Sequence, residues 1–234
     1  VRSRRQRQMC IRDRDETGNP FRKMRFKREQ TDRTFLEIEE IHKIQHLRLR
    51  VRNPLYDARE VFLFECYTGI RISDILTLKW KHITDEKISI RMRKTEKLLT
   101  IPINDYVRSV LDRRRCAVEN NGGKITSEKY VFNILKVDVD EVSAQDALNA
   151  ISSATAVINK QLKKIAEQAN IDKNLSTHCA RHSYATALLT NNIPLPVIKE
   201  MLGHSDIKVT QIYAKVVDSK RNEVVECLNK VYHG

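Results

Sequence analysis

The stretch "EKISIRMRKTEKLLTIPI", residues 86–103, is where the sequence changes from helical spacing to strict alternation of apolar and polar residues. Its two alternating runs are separated by a short Thr-Glu segment, which predicts an antiparallel hairpin near residues 87–103. Thr-Glu is unusual for a two-residue turn, because such turns favour glycine or asparagine. With helical patterns on both sides, this hairpin predicts an α+β fold that is mainly α-helical with a small antiparallel β-sheet.

Apolar residues at helical spacing precede and follow the hairpin. Thr34 is predicted to cap the first helix, Gly69 to end the second, and Ser73 to cap a short third helix; Ser176 or Thr177 is predicted to cap a later one. The run "KYVFNI", residues 129–134, predicts a short extra strand. The predicted helical stretches are "TFLEIEEIHKIQHL", "YDAREVFLFECYT", "DILTLKW", "DYVRSVLDRRRCAVEN", "DALNAISSATAVINKQLKKIAEQANI", "LSTHCARHSYATALLTNN", "VIKEMLGHS" and "SKRNEVVECLNKVY".

The composition predicts a folded protein without a membrane partner. Hydrophobic residues make up 41% of the 234 positions, enough for a sizeable core. No apolar run approaches the roughly 18 residues that span a bilayer, and no secretory signal is visible. We therefore expect a cytoplasmic protein. The five cysteines include no Cys-x-x-Cys pair, which favours free thiols over a disulfide framework or a zinc ribbon.

A formal net charge of +13 indicates a polyanionic partner. Part of this charge lies in residues 1–14, where "RRQRQMCIRD" resembles one reading frame of a sequencing-library adapter, so this tail is predicted to be non-native. Residues 15–33 are polar and basic, and they predict a linker or the end of a missing domain. The main domain is predicted to cover residues 34–234, and the chain without its tail is still basic enough to favour nucleic acid.

Three candidate site residues lie together in "STHCARHSYA". His178, Arg181 and His182 are three or four positions apart, so they share one face of the predicted helix. The two histidines at this spacing could bind zinc, although no third ligand is obvious. Alternatively, the arginine fork and an imidazole N–H could bind a phosphate group.

Other candidates are weak when they are taken singly. Arg71 lies at the entrance of the predicted short helix, where an arginine and the helix dipole could hold an anion. Asp74, three residues later, could form a structural salt bridge with Arg71 or orient it. Lys94 is predicted at the end of the first hairpin strand, with Lys97 close by, and most such lysines are solvated. Tyr213 alone would be an ordinary packing tyrosine.

Taken together, these residues resemble the catalytic domain of the tyrosine recombinases, the phage-integrase family, over roughly residues 34–234. The blocks that carry the resemblance are "TGIRISDILTL", "RKTEKLLTIPI", "HCARHSYATALL" and "LGHSDIKVTQIYA". The linker and the C-terminal blocks look most like integrases of conjugative transposons. The resemblance implies the tyrosine-recombinase catalytic fold and places residues 15–33 at the end of the family's N-terminal core-binding domain.

The resemblance also implies a role for each candidate residue. Arg71 and Arg181 match the arginines that hold the scissile phosphate, with Asp74 as an acidic supporting residue. His178 matches the histidine that assists proton transfer, and His204 matches a phosphate hydrogen-bond donor.

Lys94 matches the hairpin lysine that protonates the leaving 5′ oxygen, and Tyr213 matches the nucleophile. His182 is taken as supporting, with a less defined role. A phenol has a pKa near ~10, and nearby arginines favour its ionised form and stabilise negative charge on phosphorus. The implied reaction is a transesterification through a 3′-phosphotyrosyl link, without a metal or ATP cofactor.

The resemblance thus implies a site-specific recombinase that acts on double-stranded DNA as a homotetramer. It also implies a cytoplasmic, nucleoid-associated protein that works for a mobile element. Residues 219–232 could form a helix that packs on its own domain or docks on a neighbouring protomer. A Xer-like resolvase or an invertase would use the same chemistry. The rivals from other classes are a non-catalytic basic DNA-binding regulator and a zinc enzyme using His178 and His182.

Overall fold

The computed structural model describes residues 34–51, 53–204 and 210. All of them belong to the second of two compact units in the chain, residues 33–234. The predicted adapter-like tail, the linker and the C-terminal helix at 219–232 lie outside the described residues, and so does Tyr213.

The described part is mainly helical with one two-stranded antiparallel sheet, as the sequence predicts. In chain order its elements are α1 (Ile38–Gln45), α2 (Pro54–Thr68), α3 (Ile72–Leu76), a 3-10 turn (Trp80–His82), β1 (Lys87–Arg91), β2 (Leu98–Pro102), α4 (Asp105–Asn120), α5 (Ala144–Gln168), α6 (Thr177–Thr190) and α7 (Leu195–Met201).

Two predicted helix starts are wrong. The first helix begins after Glu37 rather than Thr34, because the Glu40 carboxylate accepts the Glu37 N–H at 2.8 Å and closes the first turn there. The third helix begins after Arg71, whose carbonyl accepts the first helical hydrogen bonds, so Ser73 lies inside the helix. Ser176 does cap α6, since its hydroxyl accepts the Cys179 N–H at 3.3 Å.

The hairpin is confirmed, but its connection is longer than two residues. β1 and β2 pair in a register that sets Lys87 opposite Pro102 and Arg91 opposite Leu98. Residues 92–97 form the loop, and Glu96 adopts a positive φ of 56° within it. The predicted strand at 129–134 is wrong. These residues pair with residues 78–80 only through an isolated antiparallel bridge between Lys79 and Tyr130, which is too short to form a strand.

Helix α2 is the centre of the core. Nearly all of its side chains are buried, including Phe62, Leu63 and Phe64, and it packs against α4, α5 and α6. Phe64 also meets Phe132 edge to face, with 5.2 Å between ring centroids. A helix enclosed in this way has a fixed axis, so the turn at its C-terminus has a fixed position. No helix in the described part of the chain combines the length and apolar character needed to cross a bilayer.

Gly69 ends α2, as the sequence predicts. It adopts a left-handed φ of 66°, and its N–H donates to the Glu65 carbonyl at 2.8 Å. A Cβ at this position would lie 2.4 Å from Cδ1 of the Tyr184 ring on α6. Glycine is therefore required at position 69 for two reasons: the left-handed backbone conformation and the close approach of α6.

We expect Gly69→Ala to lower the free energy of unfolding by at least about 2 kcal/mol, because it adds overpacking to left-handed strain. Gly122→Ala is the matched control, since Gly122 has a φ of 72° and no heavy atom of the described residues would lie within 4 Å of an added Cβ. That control should cost only about 1 kcal/mol in urea denaturation. Equal losses in the two variants would show that the Tyr184 ring moves aside freely.

Candidate active site

Arg71 is presented by the turn that follows α2. Its backbone is extended, with φ −69° and ψ 147°, and it serves as the N-cap of α3. The half-buried guanidinium donates toward Met92 Sδ at 3.2 Å and toward the Gly203 carbonyl at 3.4 Å. Thioether sulfur is a weak acceptor and the carbonyl contact is long, so these contacts hold Arg71 loosely.

Arg181 lies in the second turn of α6 and is only 6% exposed. Its guanidinium donates to the Gly69 carbonyl and, at 2.5 Å, to the Leu202 carbonyl. These contacts tie α6 to the end of α2 and to the turn after α7. Arg181 is therefore held firmly, in contrast to Arg71.

The two arginines meet at the 202–204 turn, which we define as Leu202, Gly203 and His204. They donate to the consecutive carbonyls of Leu202 and Gly203, and His204 is the next residue. Gly203 packs so closely on Met92 that an added Cβ would lie 2.4 Å from the sulfur. The structure thus brings Arg71 together with two predicted site residues, Arg181 and His204, that lie more than a hundred positions later in the sequence.

His204 is oriented through both its backbone and its side chain. Its N–H donates to the Lys199 carbonyl at 3.0 Å, which closes the end of α7. Its Nδ1 lies 3.0 Å from Oγ1 of Thr210, a fully buried side chain. This contact fixes the plane of the imidazole ring and links the turn to a residue three positions before Tyr213.

Lys94 lies in the hairpin loop rather than at the end of a strand, since β1 already ends at Arg91. Its side chain is exposed, as is that of Lys97. The base of the loop is held by Met92, whose N–H donates to the Lys97 carbonyl at 2.9 Å. Because Met92 also contacts Arg71 and Gly203, the loop begins directly beside the arginine pair.

His178 and His182 lie on α6 together with Arg181, as predicted. His178 is exposed and His182 is half-buried. Within the ranges that the structure describes, no group of three or more His, Cys, Asp or Glu side chains is arranged to hold a metal ion.

Asp74 does not form the salt bridge with Arg71 that was one of the two predicted possibilities. Its Oδ1 instead accepts the Arg93 N–H at 2.9 Å, and its buried Oδ2 has no hydrogen-bond partner among the described residues. Burial raises the pKa of the Asp74 carboxyl, opposed by the Arg93 N–H and then by the charges of Arg71 and Arg181. Asp74 therefore supports the loop that carries Lys94 and lies in the field of both arginines.

Sequence reasoning missed three residues that shape this site: Met92, Thr210 and Glu65. Met92 follows the alternation as an apolar strand residue, and nothing in the sequence marks its contact with Arg71. Thr210 gives no local signal either. Glu65 does give one, because it is the single charged residue in the longest apolar tract, "VFLFECYTGI".

Comparison with known proteins identifies the class of this chain. The family model described as the phage integrase family matches residues 34–220, so the chain belongs to that family, the tyrosine recombinases. A curated relative, tyrosine recombinase XerD of Staphylococcus haemolyticus (strain JCSC1435), is 30% identical over 185 residues, which cover 77% of this chain and 57% of the relative. XerD of Halalkalibacterium halodurans is 49% identical over 65 residues, or 28% of this chain and 22% of the relative. The chain thus spans little more than half the length of the Staphylococcus relative.

Solved structures confirm the fold. XerH site-specific recombinase bound to palindromic difH substrate aligns with a TM-score of 0.60 at 22% identity, over 84% of this chain and 53% of that one. The Tn1549 transposon integrase in complex with circular intermediate DNA gives a TM-score of 0.55 at 20% identity, covering 88% and 70%. The described residues therefore have the catalytic-domain fold that the sequence predicts.

The buried Asp74 carboxyl gives a pH-dependent prediction. Because its pKa is raised by folding, its contribution to stability is complete below the unfolded pKa and is lost as pH rises through the folded pKa. Asp74→Asn keeps the acceptor for the Arg93 N–H and removes the charge. We expect this variant to gain free energy of unfolding, relative to the parent, as pH rises from about 4 to 7 in urea titrations. A constant difference across that range would contradict a raised pKa.

Proposed function

We propose that this chain is the catalytic part of a site-specific DNA recombinase that cuts and rejoins double-stranded DNA through a 3′-phosphotyrosyl intermediate at Tyr213. The observation that carries the proposal is the meeting of Arg71 and Arg181 on adjacent carbonyls of the 202–204 turn, beside His204. Two permanent cations at one place favour a phosphate diester as the ligand.

The two arginines suit different tasks in this reaction. Arg181 is buried and its donors are engaged by backbone carbonyls, so it supplies a fixed positive field at the turn. Arg71 is half-buried, and its contacts are a weak thioether acceptor and a long carbonyl contact, so its donors can turn to phosphate oxygens at little cost. Fixed charge stabilises the developing negative charge on phosphorus without reorganisation during the reaction.

Proton transfer is proposed for the side chains around the arginine pair. Lys94, exposed on the hairpin loop, protonates the leaving 5′ oxygen, and His178 assists at the exposed start of α6. His204 donates to the phosphate with its ring plane set by Thr210. Asp74 and His182 support this arrangement. Tyr213 attacks phosphorus, and the phosphoester exchange conserves bond energy, so the proposed reaction consumes no ATP.

The proposed partner is double-stranded DNA, and the basic charge of the chain supports it. Structural neighbours bound to DNA, including a lambda integrase dimer on its core site, also support it (TM-score 0.54, 17% identity, covering 81% of this chain and 62% of that one). We propose a homotetramer on DNA, with residues 219–232 as a segment that packs in cis or docks in trans, and action at the nucleoid in the cytoplasm.

Two biological roles use this chemistry. The Tn1549 integrase neighbour supports recombination for a mobile element. The XerD relatives favour a Xer-like resolvase as the second candidate. The target sites rather than the site residues distinguish integration, resolution and inversion.

We expect a nicked suicide DNA substrate to trap a covalent protein–DNA adduct that forms in EDTA and is lost in Tyr213→Phe, because only the phenolic oxygen is removed. Tyr232→Phe is the matched control, since it changes the other tyrosine after residue 210. The adduct is measured by its reduced mobility on a denaturing gel.

The outcomes separate the rival functions. A regulator that only binds DNA forms no adduct with any variant. A zinc enzyme loses activity in EDTA. An adduct that survives in Tyr213→Phe but disappears in Tyr232→Phe moves the nucleophile to the second tyrosine.

The choice between Lys94 and Lys97 has its own test. We expect Lys94→Ala to slow adduct formation by about 100-fold or more, the usual size of a general-acid effect. A substrate with sulfur in place of the leaving 5′ oxygen should restore most of the rate, because a thiolate needs no proton to depart. The Lys97→Ala variant should cleave both substrates at the parent rate. If Lys97→Ala is slow and is rescued by the sulfur substrate while Lys94→Ala is not affected, the general acid is Lys97.

A further inference from the structure

Glu65 is a buried acid in the centre of an apolar helix. It lies in the last turn of α2, inside the tract "VFLFECYTGI", and is 1% exposed. An ionised carboxyl in such surroundings is costly unless hydrogen bonds or opposite charges compensate it. The groups that stabilise the Glu65 carboxyl therefore indicate its role in the structure.

The partners of the Glu65 carboxyl all belong to the arginine-bearing elements. Burial raises the pKa of this carboxyl well above its usual range, opposed first by the positive charge of Arg181 and then by the Ile72 N–H that faces it. Ile72 is the first residue of α3, directly after Arg71. Within the part of the chain that the structure describes, the Glu65 Oε2 atom has no hydrogen-bond partner.

The backbone of Glu65 is also connected to Arg181, through Gly69. Its carbonyl accepts the Gly69 N–H, and the carbonyl of Gly69 in turn accepts from Arg181. Glu65 therefore contacts both ends of the 69–72 turn, which presents Arg71. Its backbone carbonyl accepts from Gly69, and its side chain faces the Ile72 N–H. A neighbouring titratable group is the Cys66 thiol, whose pKa burial raises and Glu65 raises further.

Glu60, five residues earlier on α2, is a buried glutamate with a purely structural role and can be compared with Glu65. It is fully buried, and each of its oxygens has a cation. Oε1 pairs with Arg59 at 2.8 Å, and Oε2 pairs with Arg113 at 2.9 Å. Glu65, by contrast, has one carboxyl oxygen without a hydrogen-bond partner among the described residues. A buried acid in this state contributes less to the free energy of unfolding than Glu60 does.

We propose that Glu65 is a positioning residue for the arginine pair: its carboxyl holds the 69–72 turn and the Arg181 guanidinium in the geometry that binds the scissile phosphate. This inference rests on the proposed function, since it assigns Glu65 a part in the same reaction. Glu65 does not touch the DNA, because it is enclosed beneath the turn. Its effect on the reaction passes through Arg71 and Arg181.

Two substitutions separate positioning from stability. Glu65→Gln keeps the size of the side chain and an oxygen acceptor for the Ile72 N–H, whereas Glu65→Met keeps the volume and removes every polar atom. Replacing a half-satisfied buried carboxyl with an apolar side chain is often neutral or stabilising. The Met variant therefore isolates loss of positioning from loss of fold.

The experiment measures single-turnover adduct formation on the suicide substrate at saturating DNA, with the melting temperature and the DNA affinity of each variant. We expect Glu65→Met to cleave at least about tenfold more slowly while its melting temperature and affinity stay near the parent values, since small misplacement of catalytic groups costs such factors. Glu65→Gln should recover the rate to within about threefold.

Glu60→Met is the matched control with the opposite expected pattern. It leaves Arg59 and Arg113 without their buried partner, so its melting temperature should fall while its cleavage rate below that temperature stays near the parent rate.

The inference is overturned if Glu65→Met cleaves at the parent rate, or if its rate and melting temperature fall together as in a destabilised protein. Failure of the proposed function gives a different result, because the parent chain then forms no adduct at all although it binds DNA. In that case Glu65 loses its proposed role along with the arginine pair.

Discussion

The meeting of two guanidinium groups at the 202–204 turn is the constraint on which the rest of this site depends. Arg71 and Arg181 come from different helices, and each donates to a carbonyl of that turn. Like charges repel, and the carbonyl oxygens that accept from both guanidinium groups offset this repulsion. The site therefore carries a concentrated, fixed positive charge, which is the preorganisation that the proposed phosphoryl transfer would require.

The fold supplies this arrangement through the rigidity of α2. A helix buried on every side cannot shift without disturbing α4, α5 and α6, so its C-terminal turn keeps a constant position. Gly69 permits both the left-handed end of α2 and the close approach of α6. Arg181 then joins the end of α2 to the turn after α7. The positive charge of the arginine pair is thus built on rigid elements, and the proposed proton donor Lys94 lies on an exposed loop attached to them.

Two buried carboxyls, Glu65 and Asp74, lie within the field of the arginines, and each has one oxygen that finds no hydrogen-bond partner in the described ranges. Burial raises the pKa of both groups, and the arginines oppose that rise. Such groups lower stability when they are ionised, so their presence beside the arginine pair agrees with the positioning role proposed for Glu65. Glu60, with both oxygens paired, shows the structural alternative on the same helix.

The sequence by itself determined the fold class, the hairpin, the end of α2 at Gly69 and the family, because periodicity, glycine placement and ordered polar motifs are local signals. It did not determine that Glu37 rather than Thr34 caps α1, since competing caps differ by one hydrogen bond. The pairing of Asp74 with the Arg93 backbone, the sulfur contact of Arg71 and the burial of Glu65 were decided only by tertiary structure. Each joins residues that are distant in sequence or sets the solvent exposure of a charge, and no local pattern encodes either quantity.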